Sequence, residues 1–503
     1  MSNPYIVLPV LFQLFVAVTL MFSWNRKNLQ KLISVVGSLL ALLISLALLV
    51  KVHREGIQTM QAGGWIAPFG ITFVADALSA LLVVLTAISG LAVSVFSVGS
   101  VRNARIKFGY FPIMHLLIMG LSGAFLTGDI FNLYVWFEII IISSFVLITI
   151  GGEKAQLEGA IKYVAMNLLA SVVFLTAIAI LYGLTGSLNM ADLSLQVANV
   201  SNRGLVNVTA ILFLVGFGIK SAVFPLYFWL PASYHTPPPA ISAIFGGLLT
   251  KVGVYAMLRV FTLIFIPDDF LTNLITGMAL LTILSGGFGA FMQNNIRKVF
   301  SYLIICHIGF MLAGLGIYST VALGGAIFYL VHDIVVKTNL FLVSGIIFKF
   351  RGTYSMRLLG GFYKEQPVLS LLMAIPLFSL VGIPPLSGFW GKLLLIQGAM
   401  DQSNILMIVF ILLGSFLTLF VIARLWAEVF WKDAQDLPKK PHIKYFDELK
   451  PLKRQAMLAS MVFLSVLSLA IGFGAEWVMQ LALRIAENLM DPSPYIQAVL
   501  GAN

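Results

Sequence analysis

Charged residues make up only 10% of this 503-residue chain, against about 25% in soluble proteins, and that scarcity excludes an ordinary water-soluble globule. A single cysteine leaves no internal disulfide framework. The six histidines lie scattered, without Cys/His or His/His ligand spacing, so neither haem nor a structural metal is indicated. A Walker loop and a G-x-G-x-x-G turn are also missing, which speaks against ATP hydrolysis and dinucleotide binding; no cofactor is expected. The N-terminus, Met-Ser-Asn-Pro-Tyr-Ile, has no basic region and no small-residue cleavage site, so residues 4–24 read as a retained span.

What is abundant is apolar length. Hydrophobic residues are 60% of the chain, in recurring runs of about 18 to 25, each long enough to cross a hydrocarbon core roughly 30 Å thick. The short alternating segments of a barrel are absent. The expected fold is therefore an all-α polytopic membrane protein with about fourteen helices, near 4–24, 32–50, 71–98, 109–127, 131–150, 162–184, 204–231, 239–264, 270–292, 299–318, 321–348, 367–401, 404–431 and 455–483. The net charge of +11 sits mostly in short loops, as membrane topology requires, and not in a nucleic-acid patch. Odd-numbered loops hold 21 Lys and Arg and even-numbered loops 4, which predicts odd loops in the cytoplasm and both termini outside.

Two runs are interrupted. The run 204–231 carries Lys220, Pro225 and Pro231; the run 367–401 carries Pro376, Pro384, Pro385, Gly388 and Lys392. Proline inside a helix frees carbonyls that lipid cannot satisfy, so broken helices belong inside a bundle. Two such spans, five helices apart and each with a lysine, fit an inverted repeat. The predicted organisation is 1–108 for helices one to three, 109–266 for the first five-helix repeat, 267–431 for the second, and 432–503 for a polar loop, helix fourteen and tail.

Ranking ionisable residues by distance from a helix end leaves Glu138, Lys220, Lys251, Asp333, Lys337 and Lys392, with His332 and His307 as titratable companions. Each charge costs roughly 2.5–3.5 kcal/mol at a helix centre, so these residues must face one another or water. Glu138 has Lys220 as its most economical partner: a carboxylate holds the ammonium charged, and its withdrawal lets the amine release its proton. The plainer reading is a static ion pair that fixes two helices. Asp333 and Lys337, four apart, share a face and can neutralise each other locally. His332 and His307 are either packing residues or a relay. Lys251 and Lys392 have no acid within helical reach. Converging oxygens for a bare cation are not seen. Asp76 and Asp129 read as interfacial, and Arg424 with Glu428 as an anchoring pair.

Lys-Ser-Ala-Val-Phe-Pro-Leu-Tyr-Phe-Trp-Leu-Pro at 220–231, Thr-Pro-Pro-Pro-Ala-Ile-Ser-Ala at 236–243, Arg-Lys-Val-Phe-Ser-Tyr at 297–302 and Gly-Phe-Trp-Gly-Lys at 388–392 resemble, in this order, the antiporter-like subunits shared by respiratory complex I, membrane-bound hydrogenases and Mrp-type cation/proton antiporters. The segments 64–71 and 123–133 look like the D-type subunit of the Mrp branch. The resemblance implies that Glu138, Lys220, Lys251, Lys337 and Lys392 form a midplane chain passing protons between two half-channels. It departs at the eleventh helix, where Tyr329 and Asp333 stand where relatives often have histidines.

The function so implied is a proton-translocating, non-enzymatic subunit of a multisubunit Na+/H+ antiporter in the cell membrane. Its implied partners are other membrane subunits, protons, Na+ or another monovalent cation, and the lipid bilayer. The alternative is a pump subunit of a complex I or hydrogenase assembly, and a third reading makes the charges a scaffold between subunits.

Overall fold

The computed structural model describes residues 3–435, 438–441 and 443–501. Twelve helices among these are long and apolar enough to cross a membrane, and two further apolar helices, Tyr110–Leu126 and Pro367–Val381, are shorter. The chain is an all-α polytopic membrane protein.

In chain order the principal helices are α1 (Leu8–Phe22), α2 (Lys27–Glu55), α3 (Ala77–Ser100), α4 (Tyr110–Leu126), α5 (Ile130–Thr149), α6 (Lys154–Thr185) and α7 (Arg203–Ser221). Next come α8 (Pro239–Leu263), α9 (Asp269–Phe291), α10 (Ile296–Ile317), α11 (Thr320–Arg351), α12 (Pro367–Val381) and α13 (Ser387–Asp401). The last are α14 (Ile405–Trp426), α15 (Pro451–Phe473), α16 (Ala475–Met490) and α17 (Ser493–Leu500).

Side-chain acceptors fix where several of these begin. Asp76 accepts from the Ser79 amide at 2.8 Å, Asp129 from Asn132 at 2.7 Å and Asn295 from Arg297 at 3.0 Å, each satisfying a donor with no partner inside the first turn. Gly186 and Gly352, both left-handed at φ 70° and 69°, end α6 and α11, the conformation that closes a helix without a Cβ clash.

Boundaries differ from the sequence expectation where chain chemistry overrides hydropathy. The run 71–98 starts with a strand, Thr72–Ala75, paired antiparallel to Gln58–Gln61 in the register Gln58 to Ala75; the helix begins only after the Asp76 cap. The helix expected over 204–231 stops at Ser221. The run 455–483 divides at Gly474 into a membrane-length helix and the amphipathic α16. The helix Lys154–Thr185 extends further than expected, so Lys154 and Lys162, counted as loop residues, lie on its first turns.

Two stretches carry the same connections. An isolated bridge joins Asp129 to Asn189, and another joins Asn295 to Ser355, each displaced by 166 positions; the helices α6 and α11 within them are both 32 residues long. At the two breaks the pattern recurs 160 positions on. Ala222 and Gly382 donate to the Ile219 and Ser379 carbonyls, both at 3.1 Å, and Val223 and Ile383 donate to Gly218 and Phe378 at 2.9 and 3.3 Å.

The most enclosed helices are α8, α10 and α11. Ile296–Ile317 is 94% buried in its central window, and Pro239–Leu263 and Thr320–Arg351 are wholly so. They carry Lys251, His307, His332, Asp333 and Lys337, so the polar residues of the core sit on the helices furthest from lipid. Close approach of α9 to α10 depends on glycine. A Cβ on Gly309 would meet the Ile283 amide nitrogen at 2.8 Å and the Ala279 carbonyl at 3.0 Å, so the two backbones are in contact, as small residues permit in membranes.

Replacing Gly309 with Leu is therefore expected to separate α9 from α10 and lower stability by about 1–3 kcal/mol, the usual overpacking cost. Gly277→Ala, where a Cβ meets nothing within 4 Å, should leave the thermal transition of the purified protein unchanged or slightly raised.

Candidate functional site

Glu138, half-buried on α5, does not touch Lys220 directly. Ser171 of α6 stands between them: its hydroxyl donates to the Glu138 carboxylate and accepts from Lys220 Nζ at 3.3 Å. Lys220, 4% exposed on the last turn of α7, also lies 4.6 Å above the Phe137 ring, where the negative face of the π system favours a cation. The carbonyl of Ile219 at the break is taken by Trp229 Nε1 at 3.0 Å. This answers where one of the groups freed by the interrupted helix goes.

A small cavity of ≈ 10 Å³ adjoins Lys220, walled by Asn167, Tyr163, Trp229, Tyr234 and Leu249; that is room for about one water. Leu249 closes a π-turn, Phe245–Leu249, whose distortion precedes Lys251 on α8. Lys251 Nζ donates to the Gly246 carbonyl within that turn at 2.7 Å, so the widened turn serves the lysine directly.

The second group centres on Asp333, which is fully buried. One carboxylate oxygen forms an ion pair with Lys251 at 2.6 Å; the other lies 3.0 Å from His307 Nδ1. Thus Asp333 reaches across to α8 and α10. Among the described residues Asp333 and Lys337, four apart, do not form a direct ion pair. Among the described residues Lys337 Nζ has no hydrogen-bond partner. The Asp333 oxygens point instead to Lys251 on α8 and His307 on α10.

The third group lies at the second break. Lys392 of α13 donates to the Val381 carbonyl at 2.8 Å, so here a lysine satisfies the group freed at the end of α12; it also lies 5.2 Å over Phe310. His332 Nδ1 is 2.8 Å from Ser387 Oγ, which is 2.8 Å from Ser379 and 3.2 Å from Ser468. The Tyr329 ring stacks edgewise with His307 at 5.5 Å and lies 5.2 Å from His332. Among the described residues the hydrogen bonds and ion pairs thus fall into three groups, the second and third joined through the Tyr329 ring.

Several pairings differ from those the spacing suggested. Asp76 is not merely interfacial: it forms a buried ion pair with Arg259. Arg424 binds the Phe291 carbonyl at 2.6 Å and Asn294 at 2.7 Å, while Glu428 pairs with Lys432 at 3.2 Å, so Arg424 and Glu428 do not anchor each other. Sequence ranking by charge missed Ser171 and the serines around His332, which carry no charge. For Ser171 the signal was periodicity. Tyr163, Asn167 and Ser171 recur every fourth position on α6, and Tyr329, Asp333 and Lys337 do the same 166 positions later on α11, one polar stripe on each helix.

The family described as NADH:quinone oxidoreductase/Mrp antiporter matches residues 127–418. The chain is 42% identical over 499 residues to the D subunit of the Na(+)/H(+) antiporter of Bacillus subtilis (strain 168), covering 99% of both chains. It is 41% identical to the protein of the same name in Alkalihalophilus pseudofirmus, again over 99% of both. Among solved structures it superposes on a chain of the Mrp complex from Dietzia sp. DQ12-45-1b with a TM-score of 0.90 at 28% identity, covering 99% of this chain and 100% of the other. A chain of respiratory complex I from Thermus thermophilus, with a TM-score of 0.81 at 23% identity over 96% and 99%, shares the fold.

Removing Asp333 leaves Lys251 buried without its counter-ion. Asp333→Leu is expected to destabilise by about 3–5 kcal/mol, whereas Asp333→Leu combined with Lys251→Met should recover most of the loss, because removing both charges removes the desolvation cost too. Thermal denaturation of the single and double variants checks this.

Proposed function

Since the chain belongs to the NADH:quinone oxidoreductase/Mrp antiporter family, we propose that it is the proton-translocating subunit of a multisubunit Na+/H+ antiporter of the cell membrane. It acts as a transporter subunit and performs no covalent chemistry. The observation that carries the proposal is the Glu138–Ser171–Lys220 contact set at an interrupted helix, in a chain whose full length matches relatives named as antiporter subunits.

In this reading Ser171 is the movable element. Its hydroxyl can keep the carboxylate and the ammonium linked, or rotate and release them. Linked, Lys220 holds its proton; released, an amine in apolar surroundings gives it up. The water-sized cavity between Lys220 and the turn preceding Lys251 supports onward transfer toward Lys251, with Asp333 receiving the charge there. Lys337, free of a hydrogen-bond partner, is the amine most open to exchange, and Lys392 serves the far side. His307 and His332 touch both ends of this stretch through Tyr329. Exchange with Na+ is the activity for which the relatives from Bacillus subtilis and Alkalihalophilus pseudofirmus are named.

The same reading takes the chain as fourteen spans, with both termini outside and the repeats at 109–266 and 267–431 inverted. The matching bridges and break geometry, displaced by 166 and 160 positions, support it, as do the loop charges. A coupled redox pump is the competing use of such a site. It is favoured by the likeness to the membrane-bound sulfane sulfur reductase, described as an archaeal respiratory membrane complex, with a TM-score of 0.89 at 27% identity over 99% and 100%.

Everted vesicles holding the assembled complex test this with a pH-sensitive dye. Added Na+ should collapse an imposed pH gradient with wild type and not with Glu138→Gln or Lys220→Arg, because the amide has no charge and a guanidinium keeps its proton. Ser171→Ala should slow exchange about tenfold or more, a hydrogen bond to a charged group being worth about 1.5–3 kcal/mol. Exchange at the wild-type rate in Lys220→Arg, or exchange that needs an electron donor, contradicts the proposal.

A further inference from the structure

A groove of ≈ 590 Å³ opens between the end of α2, the start of α3 and the amphipathic α16, away from every residue of the proton site. Leu49, Val52, Ala77 and Leu481 give it an apolar lining, and His53, Arg54, Arg484 and Asn488 a polar one. Three of the acids nearby are engaged on the protein. Asp76, next to Ala77, is bound by Arg259, and Glu55 pairs with Lys51 at 3.7 Å. Glu476, on the first turn of α16, accepts from Gln480 at 2.7 Å. Among the described residues neither Arg54 nor Arg484 makes a hydrogen bond or ion pair, and both are exposed.

The depth of this groove is set by the chain itself. At its Arg54 end α2 finishes as a span of 29 residues, and α16 follows a 23-residue span after Gly474. At that join Phe473 and Trp477 are 73% and 79% exposed, the aromatic placement of a membrane interface. On α16 Ala482, Ile485, Ala486 and Leu489 are buried against the protein, so the helix rests in the plane of the interface with its apolar face already occupied. The groove therefore has its cationic end at headgroup level and its apolar wall toward the acyl region.

We propose that this groove binds one anionic phospholipid, with the phosphate between Arg54 and Arg484 and an acyl chain along Leu49 and Leu481. Two guanidiniums without protein partners match a phosphodiester, since each presents several donors to its oxygens. A zwitterionic lipid brings an ammonium toward the two guanidiniums, a like-charge approach that an anionic headgroup avoids. A bare phosphate would leave the apolar wall uncovered.

The test uses the assembled complex in nanodiscs of equal parts phosphatidylglycerol and phosphatidylcholine, followed by mild delipidation and mass spectrometry of retained lipid. Wild type should retain phosphatidylglycerol preferentially. Arg54→Gln with Arg484→Gln should retain at least tenfold less, since each arginine near the surface is worth about fivefold for an anionic lipid. Arg203→Gln, at the start of α7, should retain the wild-type amount. Val50→Trp, at an exposed groove residue, should also lose the lipid with both arginines intact. Equal retention by the double variant, equal retention of phosphatidylcholine, or complete displacement of phosphatidylglycerol by inorganic phosphate overturns the proposal. So does cross-linking of Arg484→Cys to a neighbouring subunit in place of lipid.

Discussion

A fully buried carboxylate needs a counter-ion and hydrogen-bond donors, and Asp333 meets that requirement with Lys251 on one oxygen and His307 on the other. Three helices, α8, α10 and α11, converge on this one side chain, and they are the three most enclosed in the protein. Its position explains neighbouring features that are otherwise unconnected. The π-turn before Lys251 presents a carbonyl to the same ammonium. Lys337 is left without a bond because the acid four residues away faces elsewhere. Replacing such a cluster by apolar residues costs little in principle, so its presence at the protein centre is better explained by what the charges do than by the stability they add.

The two breaks show how one local problem receives two solutions. At the first, an indole takes the exposed carbonyl and Lys220 remains available to Ser171. At the second, the carbonyl of Val381 is taken by Lys392 itself. Lys220 precedes its break and Lys392 follows its own, so the two lysines are not equivalent positions of a repeated unit even though the surrounding backbone bonds are. One lysine is held by a carbonyl and the other by a hydroxyl, so the two start from different ground states, and this asymmetry suits two ends of the proposed route.

Much of the fold was legible because membranes make few demands and enforce them strictly. Each apolar run of sufficient length became a helix, and the prolines at 225 and 385 marked real interruptions. Hydropathy could not see caps and turns, so the helix expected from residue 71 begins at Ala77 and the one expected to reach 483 ends at Phe473. Five buried ionisable groups, Lys220, Lys251, Asp333, Lys337 and Lys392, and the half-buried Glu138 were found by distance from a helix end alone. Their partners were not, since spacing along one helix says nothing of what a neighbouring helix presents: Asp333 turned to Lys251, Asp76 to Arg259 and Arg424 to the Phe291 carbonyl. Ser171 escaped notice because a hydroxyl is inexpensive in lipid, although its place four residues after Asn167 and eight after Tyr163 marked the stripe to which it belongs.

The central claim is that a buried lysine changes protonation state when its acid is neutralised. Nitrogen-15 solid-state NMR of the complex in lipid, with Lys220 assigned by its loss in Lys220→Met, reads this directly. The account predicts an ammonium signal for Lys220 in wild type at neutral pH that converts to neutral amine in Glu138→Gln. An ammonium signal in both proteins at every pH where exchange occurs would contradict it.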